Sequence, residues 1–482
     1  MALKRLLPLF ALLLAAWALW VLETARAGVT ITQFRDGPTP ITLYSNGSNG
    51  PVVVVAHGFA GSREMMQGYA LPLAQAGYHV YAFDFEGHGA HDLPMSGNVN
   101  SLDGTTRLLI DQTRSVVQTV SDGAPVALLG HSMATDILVR TAAELDGIGP
   151  LVLISAFSLA IDATHPESMA LITGAWEPGL RDFALKAARK VDESAVAGQT
   201  VNDGVILRRA VIAPLADHVS ILHSRTARAE AVDWLNGFFS RTTSPAIPQT
   251  GWALLALLAA ITALAQPLAR LLPARPQTTQ RIGLPGFALL TLLPAVAAPL
   301  LAAPVDTKLL PVLIADYLAL HLAIYGALQL ALLTRLKPAP GWPAPAGVAL
   351  LVIWALAVFG LALDRYGANF MPNLPRAGII AALALGAVPF MLADAWAAQG
   401  APLWQRIALR LALLVSLGGA VALDFEGLFF LIMIAPVIVL FFLTFGVMGR
   451  AFAKRLGPMT AGLALGLVLA WALGVSFPMF AA

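Results

Sequence analysis

The pattern of hydrophobic and polar positions changes near residue 250. Before it, short apolar runs alternate with mixed segments of helical periodicity, whereas after it long apolar blocks follow one another with few interruptions. A helix of about 20 apolar residues is long enough to span a membrane. The pattern therefore predicts two parts in different solvents: a water-exposed front domain, residues 28–240, and a membrane bundle behind it.

The front domain shows the alternation that is typical of a parallel sheet with crossover helices. Six apolar, β-rich runs end at loops that carry polar residues. They predict strands at Pro51–Ala56, His79–Phe83, Pro125–Leu129, Pro150–Ser155, Ser168–Gly174 and Val205–Ala213. In such sheets, ligand and catalytic groups lie just beyond the carboxyl ends of the strands.

The N-terminal segment allows two interpretations. Lys4 and Arg5 precede an almost unbroken apolar run, Leu6–Leu22, which is long for a signal peptide and long enough to span a membrane. Ala25 and Ala27 nevertheless fit a signal-peptidase site. Residues 1–27 are therefore predicted to be a membrane anchor or a signal peptide, and either one keeps the two basic residues inside and exports the front domain.

Behind a Ser/Thr/Pro-rich linker at 241–250, the rear of the chain carries eight candidate spans in an all-α bundle. They are predicted at 251–271, 283–303, 309–334, 346–364, 377–397, 406–423, 427–448 and 458–480. If the front domain is outside, the inner connections carry Arg270, Arg275, Arg281, Arg335, Lys337, Arg406, Arg410, Arg450, Lys454 and Arg455, and the outer ones carry Lys308, Arg365 and Arg376. The positive-inside rule supports this orientation. We therefore expect an integral plasma (bacterial inner) membrane protein with an extracytoplasmic front domain.

Composition and charge agree with this division. Of the 482 residues, 57% are hydrophobic and 12% are charged, with a mean hydropathy of +0.73, and this charged share is about half that of soluble domains. The net charge of +2, without a basic patch beyond the membrane-flanking residues, argues against a nucleic-acid partner. The absence of cysteine excludes disulfides and thiolate chemistry. The expected partner is the lipid bilayer.

One motif indicates chemistry. Gly130-His131-Ser132-Met133-Ala134 follows an apolar run and precedes a helix-like stretch, which is the layout of a nucleophile elbow. A serine on such a strand-to-helix turn points its hydroxyl out of the sheet, and the next backbone N–H is free to bind a developing oxyanion. Ser132 is the candidate nucleophile.

Over about residues 40–240 the chain resembles the α/β-hydrolase family, with an elbow like that of its serine aminopeptidase and lysophospholipase members. His57-Gly58-Phe59-Ala60-Gly61 resembles the oxyanion loop, and Asp84-Phe-Glu-Gly-His-Gly89 resembles the D-x-x-G-x-G turn. The departure is Ala134, which stands where G-x-S-x-G has its second glycine. The resemblance implies an α/β fold with a mostly parallel sheet.

The family order of nucleophile, acid and histidine implies the remaining catalytic residues. Glu177 follows the strand that ends at Gly174, and His218 follows the last strand, so the resemblance implies Ser132 as nucleophile, His218 as base and Glu177 as orienting carboxylate. The backbone N–H groups of Phe59 and Met133 would form the oxyanion hole. The alternatives are His223 for the base and Asp182 or Asp203 for the acid, while Asp217 is a candidate for tuning His218.

Other polar residues of the front domain have weaker assignments. The loop geometry of the family implies that His57, Gly58 and His131 line the pocket, and His88, His91 and His165 are interpreted as polar loop or turn residues. The histidines lack the close spacing with carboxylates that metal sites need, so neither a metal nor a cofactor is expected.

Two features concern the surroundings of the site and the bundle. Only Ala156–Glu167 fills the place where many family members insert a lid, so the site is expected to be open or to be covered by the bundle or the lipid surface. Within one span a polar stripe recurs on one helix face, which marks either packing between helices or a pathway. Its residues are Asp316, Tyr317, His321, Tyr325 and Gln329.

The leading interpretation is a membrane-integrated serine hydrolase that cleaves an apolar or lipid-like ester through an acyl-enzyme. An acyltransferase would use the same three side chains, because they do not distinguish water from another acceptor. A peptidase is a further possibility, since the elbow resembles that of serine aminopeptidases. The alternative from a different class is a transporter or scaffold whose hydrolase-like domain only binds.

Overall fold

The computed structural model describes residues 2–99, 101–277, 279–305, 309–312 and 314–481. Lys308 of the outer basic set lies outside these residues, as do the side chains of Lys4 and Arg5. Within them, nine strands form one sheet: β1 Thr30–Asp36, β2 Thr39–Ser45, β3 Val52–Ala56, β4 His79–Phe83, β5 Val126–His131, β6 Ile148–Ile154, β7 Ser168–Gly174, β8 Thr200–Asn202 and β9 Leu207–Ala213.

The sheet has the strand order β1-β2-β4-β3-β5-β6-β7-β9-β8. Its centre, β4-β3-β5-β6-β7-β9, is parallel, and β1, β2 and β8 add antiparallel edges. The six parallel strands are those that the apolar runs predict, with bounds within two residues. The predicted α/β fold with a mostly parallel sheet is therefore confirmed.

Five helices cover the two faces of the sheet: α2 Gln67–Gln75, α3 Arg107–Val120, α4 Met133–Glu144, α5 Pro178–Arg189 and α6 Arg225–Phe238. Helices α3, α4 and α5 enclose one apolar core, which includes Val54 and Leu128, and α2 and α6 enclose the other, which includes Val55 and Leu129. Alternate side chains of β3 and β5 thus enter opposite cores, as the two-residue period of a strand requires.

The remaining helices are long and apolar, or short pieces that continue such helices. They are α1 Ala2–Thr24, α7 Thr250–Ala269, α8 Leu284–Ala302, α9 Ala315–Leu336, α10 Pro345–Ile353, α11 Leu361–Tyr366, α12 Leu374–Ala398, α13 Leu403–Leu423, α14 Phe425–Leu428, α15 Leu431–Leu443, α16 Phe445–Leu456 and α17 Pro458–Ser476. A π-helical segment, Trp354–Gly360, joins α10 to α11. Within the described ranges, nine helical stretches are long and apolar enough to cross a membrane, eight of them after residue 249.

The eight predicted spans lie at the positions of these eight stretches, with small shifts at several ends and two larger differences. The helix predicted at 309–334 begins at Ala315, and the one predicted at 427–448 extends through α15 and α16 to Leu456. Arg450, Lys454 and Arg455 therefore lie in the last turns of a helix instead of in a connection. The hydropathy pattern did not predict the helix beyond residue 448, because α16 is amphipathic and its polar residues resemble those of a loop.

The bundle, α7–α17, contacts the front domain at the turn that follows β4. Met95 N donates to Met479 O at 2.8 Å, and Ala481 N donates to Met95 O at 2.6 Å. Asn373, at the start of α12, donates from Nδ2 to His91 O at 2.8 Å. Since this turn lies at the carboxyl end of β4, the bundle approaches the edge of the sheet where the candidate site lies.

Candidate active site

Ser132 occupies the sharp turn between β5 and α4. Its backbone angles, φ +54° and ψ −119°, are unusual for a residue with a side chain, and its N–H donates to Ile154 O at 2.9 Å. A Cβ on Gly130 would lie 2.6 Å from Leu138 Cδ1 and 3.1 Å from Ala134 Cβ. The glycine at 130 thus provides the close packing of strand and helix, and the methyl group of Ala134 is accommodated in full burial.

Three predicted side chains form one hydrogen-bonded series. Ser132 Oγ lies 2.7 Å from His218 Nε2, and His218 Nδ1 lies 2.6 Å from Glu177 Oε1. His218 follows β9 and Glu177 follows β7. Because these two strands are adjacent and parallel, both side chains lie at the same edge of the sheet as the elbow. The side chain of His218 is 46% exposed and that of Glu177 only 6%. The hydroxyl end of the series is therefore open to a ligand, and the carboxylate end is closed.

The environment of Glu177 keeps it ionised. Burial by itself raises the pKa of this carboxyl, but hydrogen bonds from His218, from Gly174 N–H (2.7 Å) and from Ser155 Oγ (2.8 Å) outweigh it, and the pKa lies below its ordinary value. The last two donors both bind Oε2 and leave Oε1 for the imidazole. An ionised acceptor at Oε1 holds the proton of a neutral His218 on Nδ1, so that Nε2 can accept from Ser132.

The loop after β3 passes directly over the elbow. A Cβ on Gly58 would lie 2.9 Å from His131 Nδ1 and 3.0 Å from Ser132 Cβ. In the described part of the chain, neither Phe59 N–H nor Met133 N–H has an acceptor in a loop or side chain. Since Phe59 follows Gly58 and Met133 follows Ser132, both predicted donors belong to the two segments that meet at the elbow.

His57 and His131 are buried supports of these loops. Phe85 N–H donates to His57 Nε2 at 3.1 Å, which joins the oxyanion loop to the turn after β4. His131 Nε2–H donates to His218 O at 2.8 Å. Burial, with a smaller contribution from His218, lowers the pKa of His131 to about 4, so this donor is neutral near pH 7. His131 thus fixes the backbone that carries the candidate base.

The D-x-x-G-x-G turn is hydrogen-bonded to the segment that follows the predicted oxyanion loop. Asp84 is fully buried and accepts from Arg63 N–H at 2.7 Å, from the Arg63 guanidinium, and from Ala90 N–H at 2.9 Å. His88 and His91, interpreted from sequence as polar turn residues, are buried in this turn. The ring of His88 packs against those of His57 and Phe59 with centroids 5.1 and 5.7 Å apart.

The alternative assignments do not reach the elbow. His223 packs against the position of Gly251, and burial lowers its pKa to about 4. Asp182 is exposed on α5, and Asp203 accepts from the N–H groups of its own turn. Asp217 accepts from Val219 N–H and from both the N–H and the hydroxyl of Ser220. Asp217 therefore stabilises the turn that carries His218 without contacting the imidazole.

The polar stripe of α9 faces neighbouring helices. Tyr317 Oη lies 3.0 Å from His321 Nδ1, and His321 Nε2 lies 3.0 Å from Ser416 Oγ on α13. Gln329 donates from Nε2 to Leu290 O at 3.3 Å, and Leu310 N–H donates to Asp316 Oδ2 at 3.0 Å. Tyr325 is buried, with its ring 5.8 Å from that of Phe390. His321, Tyr325 and Gln329 of the stripe therefore contact α13, α12 and α8, respectively.

Several residues of the site have no signal in the local sequence. Ser155 and Gly174 N–H bind Glu177 from two different strand ends, and only the pairing of β6 with β7 brings them together. From the bundle, Phe430 packs on Phe59 with ring centroids 5.5 Å apart, and Phe480 packs on Phe59 at 6.3 Å. The short connection after β6 did not predict what packs beside the predicted oxyanion loop. Phe430 and Phe480 occupy this position next to Phe59.

The sheet order, the elbow and the three hydrogen-bonded side chains define the front domain as an α/β-hydrolase domain. Residues 47–229 match the protein family described as serine aminopeptidase, S33. This match supports hydrolase activity for the domain and does not extend into the bundle. No curated protein matches the chain.

Solved structures that resemble the chain are distant. They include an epoxide hydrolase mutant from Vigna radiata, with 19% identity and a TM-score of 0.23. The match covers 27% of this chain and 40% of the epoxide hydrolase chain. A dienelactone hydrolase from Anabaena variabilis shares 17% identity over 44% of this chain and 96% of its own, with a TM-score of 0.33. A bacterial membrane phospholipase A, described as a virulence factor, shares 15% identity over 49% and 95%, with a TM-score of 0.34.

Proposed function

We propose that the protein is a membrane-integrated serine hydrolase that cleaves an apolar or lipid-like ester on the extracytoplasmic side of the membrane. The observation that carries this proposal is the continuous series Ser132 Oγ, His218 Nε2, His218 Nδ1 and Glu177 Oε1, with contacts of 2.7 and 2.6 Å. A serine hydroxyl is a weak nucleophile at neutral pH, and such a series is what activates it.

The chemistry follows in two steps. Ser132 Oγ attacks the ester carbonyl while His218 Nε2 takes its proton, and Phe59 N–H and Met133 N–H stabilise the oxyanion. His218 then protonates the leaving alcohol, which leaves an acyl group on Ser132. In the second step water attacks the acyl group and gives a proton to His218. His218 passes this proton to Ser132 Oγ as the bond between Oγ and the acyl carbon breaks and the carboxylic acid leaves. Glu177 stays ionised throughout and stabilises the imidazolium.

Apolar surroundings favour an apolar substrate. Trp176 lies next to Glu177, Val219 lies next to His218, and Leu215 is on the loop between β9 and His218, and all three are exposed. Exposed apolar groups around a site mark a surface for apolar ligands or lipid. Phe430 and Phe480 pack on Phe59 and add apolar rings from the region of the bundle next to the predicted oxyanion loop.

The first test is labelling of native membranes with a fluorophosphonate probe, which reports an activated serine whatever the substrate. We expect wild type to be labelled, Ser132→Ala and His218→Ala to be unlabelled, and Ser194→Ala, at an exposed serine remote from the three side chains, to be labelled like wild type. Lack of labelling of folded wild type would contradict the proposal.

Substrate class is tested with a series of acyl esters of increasing chain length on the full chain in membranes. We expect Phe430→Ala to reduce turnover of long-chain esters more than of short ones. Phe425→Ala is the matched control, because this ring contacts Phe429 and not Phe59. Equal effects on all chain lengths would contradict an apolar substrate, and product analysis with an added alcohol would distinguish hydrolysis from acyl transfer.

A peptidase is the second candidate, because the matched family is described as a serine aminopeptidase. The same acyl-enzyme chemistry would cleave an amide, with His218 protonating the leaving amine. Turnover of aminoacyl arylamides faster than of esters would favour this candidate.

The absence of cysteine allows a direct test of orientation. Glu193→Cys is an exposed site on the front domain, and Thr334→Cys is an exposed site at the far end of α9. In intact cells, a membrane-impermeant maleimide should label the first variant and not the second. The reverse pattern would contradict the extracytoplasmic location.

A further inference from the structure

A cavity lies in the bundle at the membrane face remote from the hydrolase domain. Helix α12 begins beside that domain, where Arg376 donates to Gly87 O at 2.9 Å. Asp394 follows eighteen residues later on the same helix, a rise of about 27 Å along the axis, which is close to the roughly 30 Å thickness of a hydrocarbon core. The surroundings of Asp394 are therefore at the opposite side of the membrane.

The cavity has a volume of about 420 Å³. We call it the basic cavity, because it is lined by four cationic side chains and one anionic side chain: Arg406, Arg410, Arg450, Lys454 and Asp394. They come from three helices, α12, α13 and α16. Gly446 and Gly449 also line it and leave room by having no side chains, and Ala461 and Leu465 give it an apolar wall.

The positive charges of the basic cavity exceed what its own residues neutralise. Asp394 binds Arg410 Nη2 at 3.0 Å, and the Arg410 guanidinium lies 4.5 Å from the centroid of the Phe442 ring. Within the described part of the chain, Arg406, Arg450 and Lys454 have no carboxylate partner. Among the residues that the structure describes, the buried Nε atoms of Arg406 and Arg410 have no hydrogen-bond acceptor. A buried donor without an acceptor costs free energy, and an anion in the cavity would supply the acceptors.

The positive-inside rule explains why basic residues are frequent at this face, but a basic residue that serves only topology extends its charge into water. Here the four cations line one cavity, three of them are only partly exposed, and the Nε atoms of Arg406 and Arg410 are buried. Guanidinium groups present paired donors that match the oxygens of a phosphate group. The volume is within the range of ligand sites.

We propose that the basic cavity binds a phosphate-bearing anion, and that its occupant is the head group of an anionic phospholipid from the leaflet remote from the hydrolase domain. The apolar wall and the location at the membrane face favour a lipid over a free ion, because a lipid places its phosphate at this depth with its acyl chains along the helices. This site is separate from the catalytic one, and the proposal does not rest on esterase activity.

Native mass spectrometry of the full-length protein in detergent, titrated with phosphatidylglycerol, tests the proposal. The double variant Arg406→Gln/Arg450→Gln should bind the lipid roughly tenfold or more weakly, because it removes two of the basic residues that attract an anionic head group. Arg335→Gln is the matched control, because it removes one exposed charge at the same face outside the cavity. Equal binding by the double variant and wild type would overturn the proposal, as would equal weakening by the control.

A second variant changes the affinity in the opposite direction. Asp394→Asn removes the anion that competes for Arg410, so it should tighten phosphatidylglycerol binding several-fold. A gain of binding does not arise from misfolding, and this variant therefore keeps the proposal falsifiable if the double variant fails to fold. Unchanged or weaker binding by a folded Asp394→Asn protein would contradict the role of charge in the cavity.

Two further titrations identify the source of the anion. Zwitterionic phosphatidylcholine should bind more weakly than phosphatidylglycerol and should be insensitive to the double variant. Inorganic phosphate, compared with chloride at equal ionic strength, should compete with phosphatidylglycerol only at much higher concentration. Inorganic phosphate that binds as tightly as the lipid would overturn the assignment to a head group.

Discussion

Replacement of Glu177 by Gln changes one oxygen into an NH₂ group and is predicted to abolish the proposed hydrolase activity almost completely. In the wild-type chain Glu177 Oε2 accepts from Gly174 N–H and Ser155 Oγ, while Oε1 accepts from His218 Nδ1–H. A glutamine has a single acceptor oxygen. The backbone N–H of Gly174 can only donate, so the glutamine oxygen takes the Oε2 position as its acceptor and the NH₂ group takes the Oε1 position, facing His218.

This arrangement forces the imidazole into the wrong tautomer. Because the NH₂ group donates to Nδ1, a neutral His218 carries its proton on Nε2, where it points at Ser132 and blocks proton transfer from the hydroxyl. In serine proteases the corresponding loss is about 10⁴-fold in kcat, or about 5 kcal/mol in activation free energy. We expect a loss of this order for Glu177→Gln, with the fold and the thermal stability largely retained.

The assay is the rate of fluorophosphonate labelling in membranes, together with kcat on whichever ester wild type hydrolyses. Asp217→Asn is the matched control, because it makes the same kind of substitution next to His218 at a carboxylate that contacts only its own turn. The control should keep activity within about tenfold of wild type, since an asparagine oxygen still caps such a turn. A Glu177→Gln protein with more than a tenth of wild-type kcat would refute the tautomer reasoning.

Three further predictions concern the surroundings of the site. Arg376 is 1% exposed and donates to four backbone carbonyls, two in the turn after β4 and two at the end of the bundle. Arg376→Met should therefore lower the free energy of unfolding by about 3 kcal/mol or more. Thermal unfolding measures this change, and a Tm equal to that of wild type would contradict the prediction. Gly58→Ala would place its methyl group 2.9 Å from His131 Nδ1, and the displaced oxyanion loop should reduce kcat about 10²-fold without abolishing folding; an unchanged kcat would count against the loop assignment. Burial, together with the neighbouring Asp84, raises the pKa of Glu64 to about 7, so the folded state binds a proton more tightly than the unfolded state and loses stability as pH rises from about 4.5 through 7. Glu64→Gln should therefore have a Tm above wild type at pH 8 and a smaller difference at pH 5, and a difference independent of pH would refute this.

The residues of the candidate site that were predictable from sequence share one property. Each follows a strand whose apolar run is visible in the sequence: Ser132 comes directly after β5, and Glu177 and His218 lie in the loops after β7 and β9. Parallel strands bring their carboxyl ends to one edge of the sheet, so position after a strand implies proximity in space. The geometry agrees with that expectation, and the catalytic roles remain a prediction until the labelling is done.

The edge strands β1, β2 and β8 were not predictable in the same way. β1 is exposed along most of its length, and β8 has only three residues. β2 is mostly buried, but Thr39, Thr42 and Ser45 interrupt its apolar residues. Such segments become strands because a neighbouring strand offers free N–H and C=O groups, and not because their own side chains form an apolar pattern. The hydropathy profile likewise showed the spans but not that α16 continues the helical stretch of α15 to Leu456.

By itself, then, the sequence determined the parallel centre of the sheet and the place of Ser132 at its edge, because apolar runs and the motif after a strand are local properties. It also predicts a water-exposed and a membrane part, and the resemblance to the α/β-hydrolase family implied Glu177 and His218. The tertiary structure alone decided that Ser155 supports Glu177, that Phe430 and Phe480 lie against the oxyanion loop, and that four cations converge in the basic cavity. These contacts join segments up to several hundred residues apart. Their existence depends on how packed helices and strands are placed in space, which no local pattern encodes.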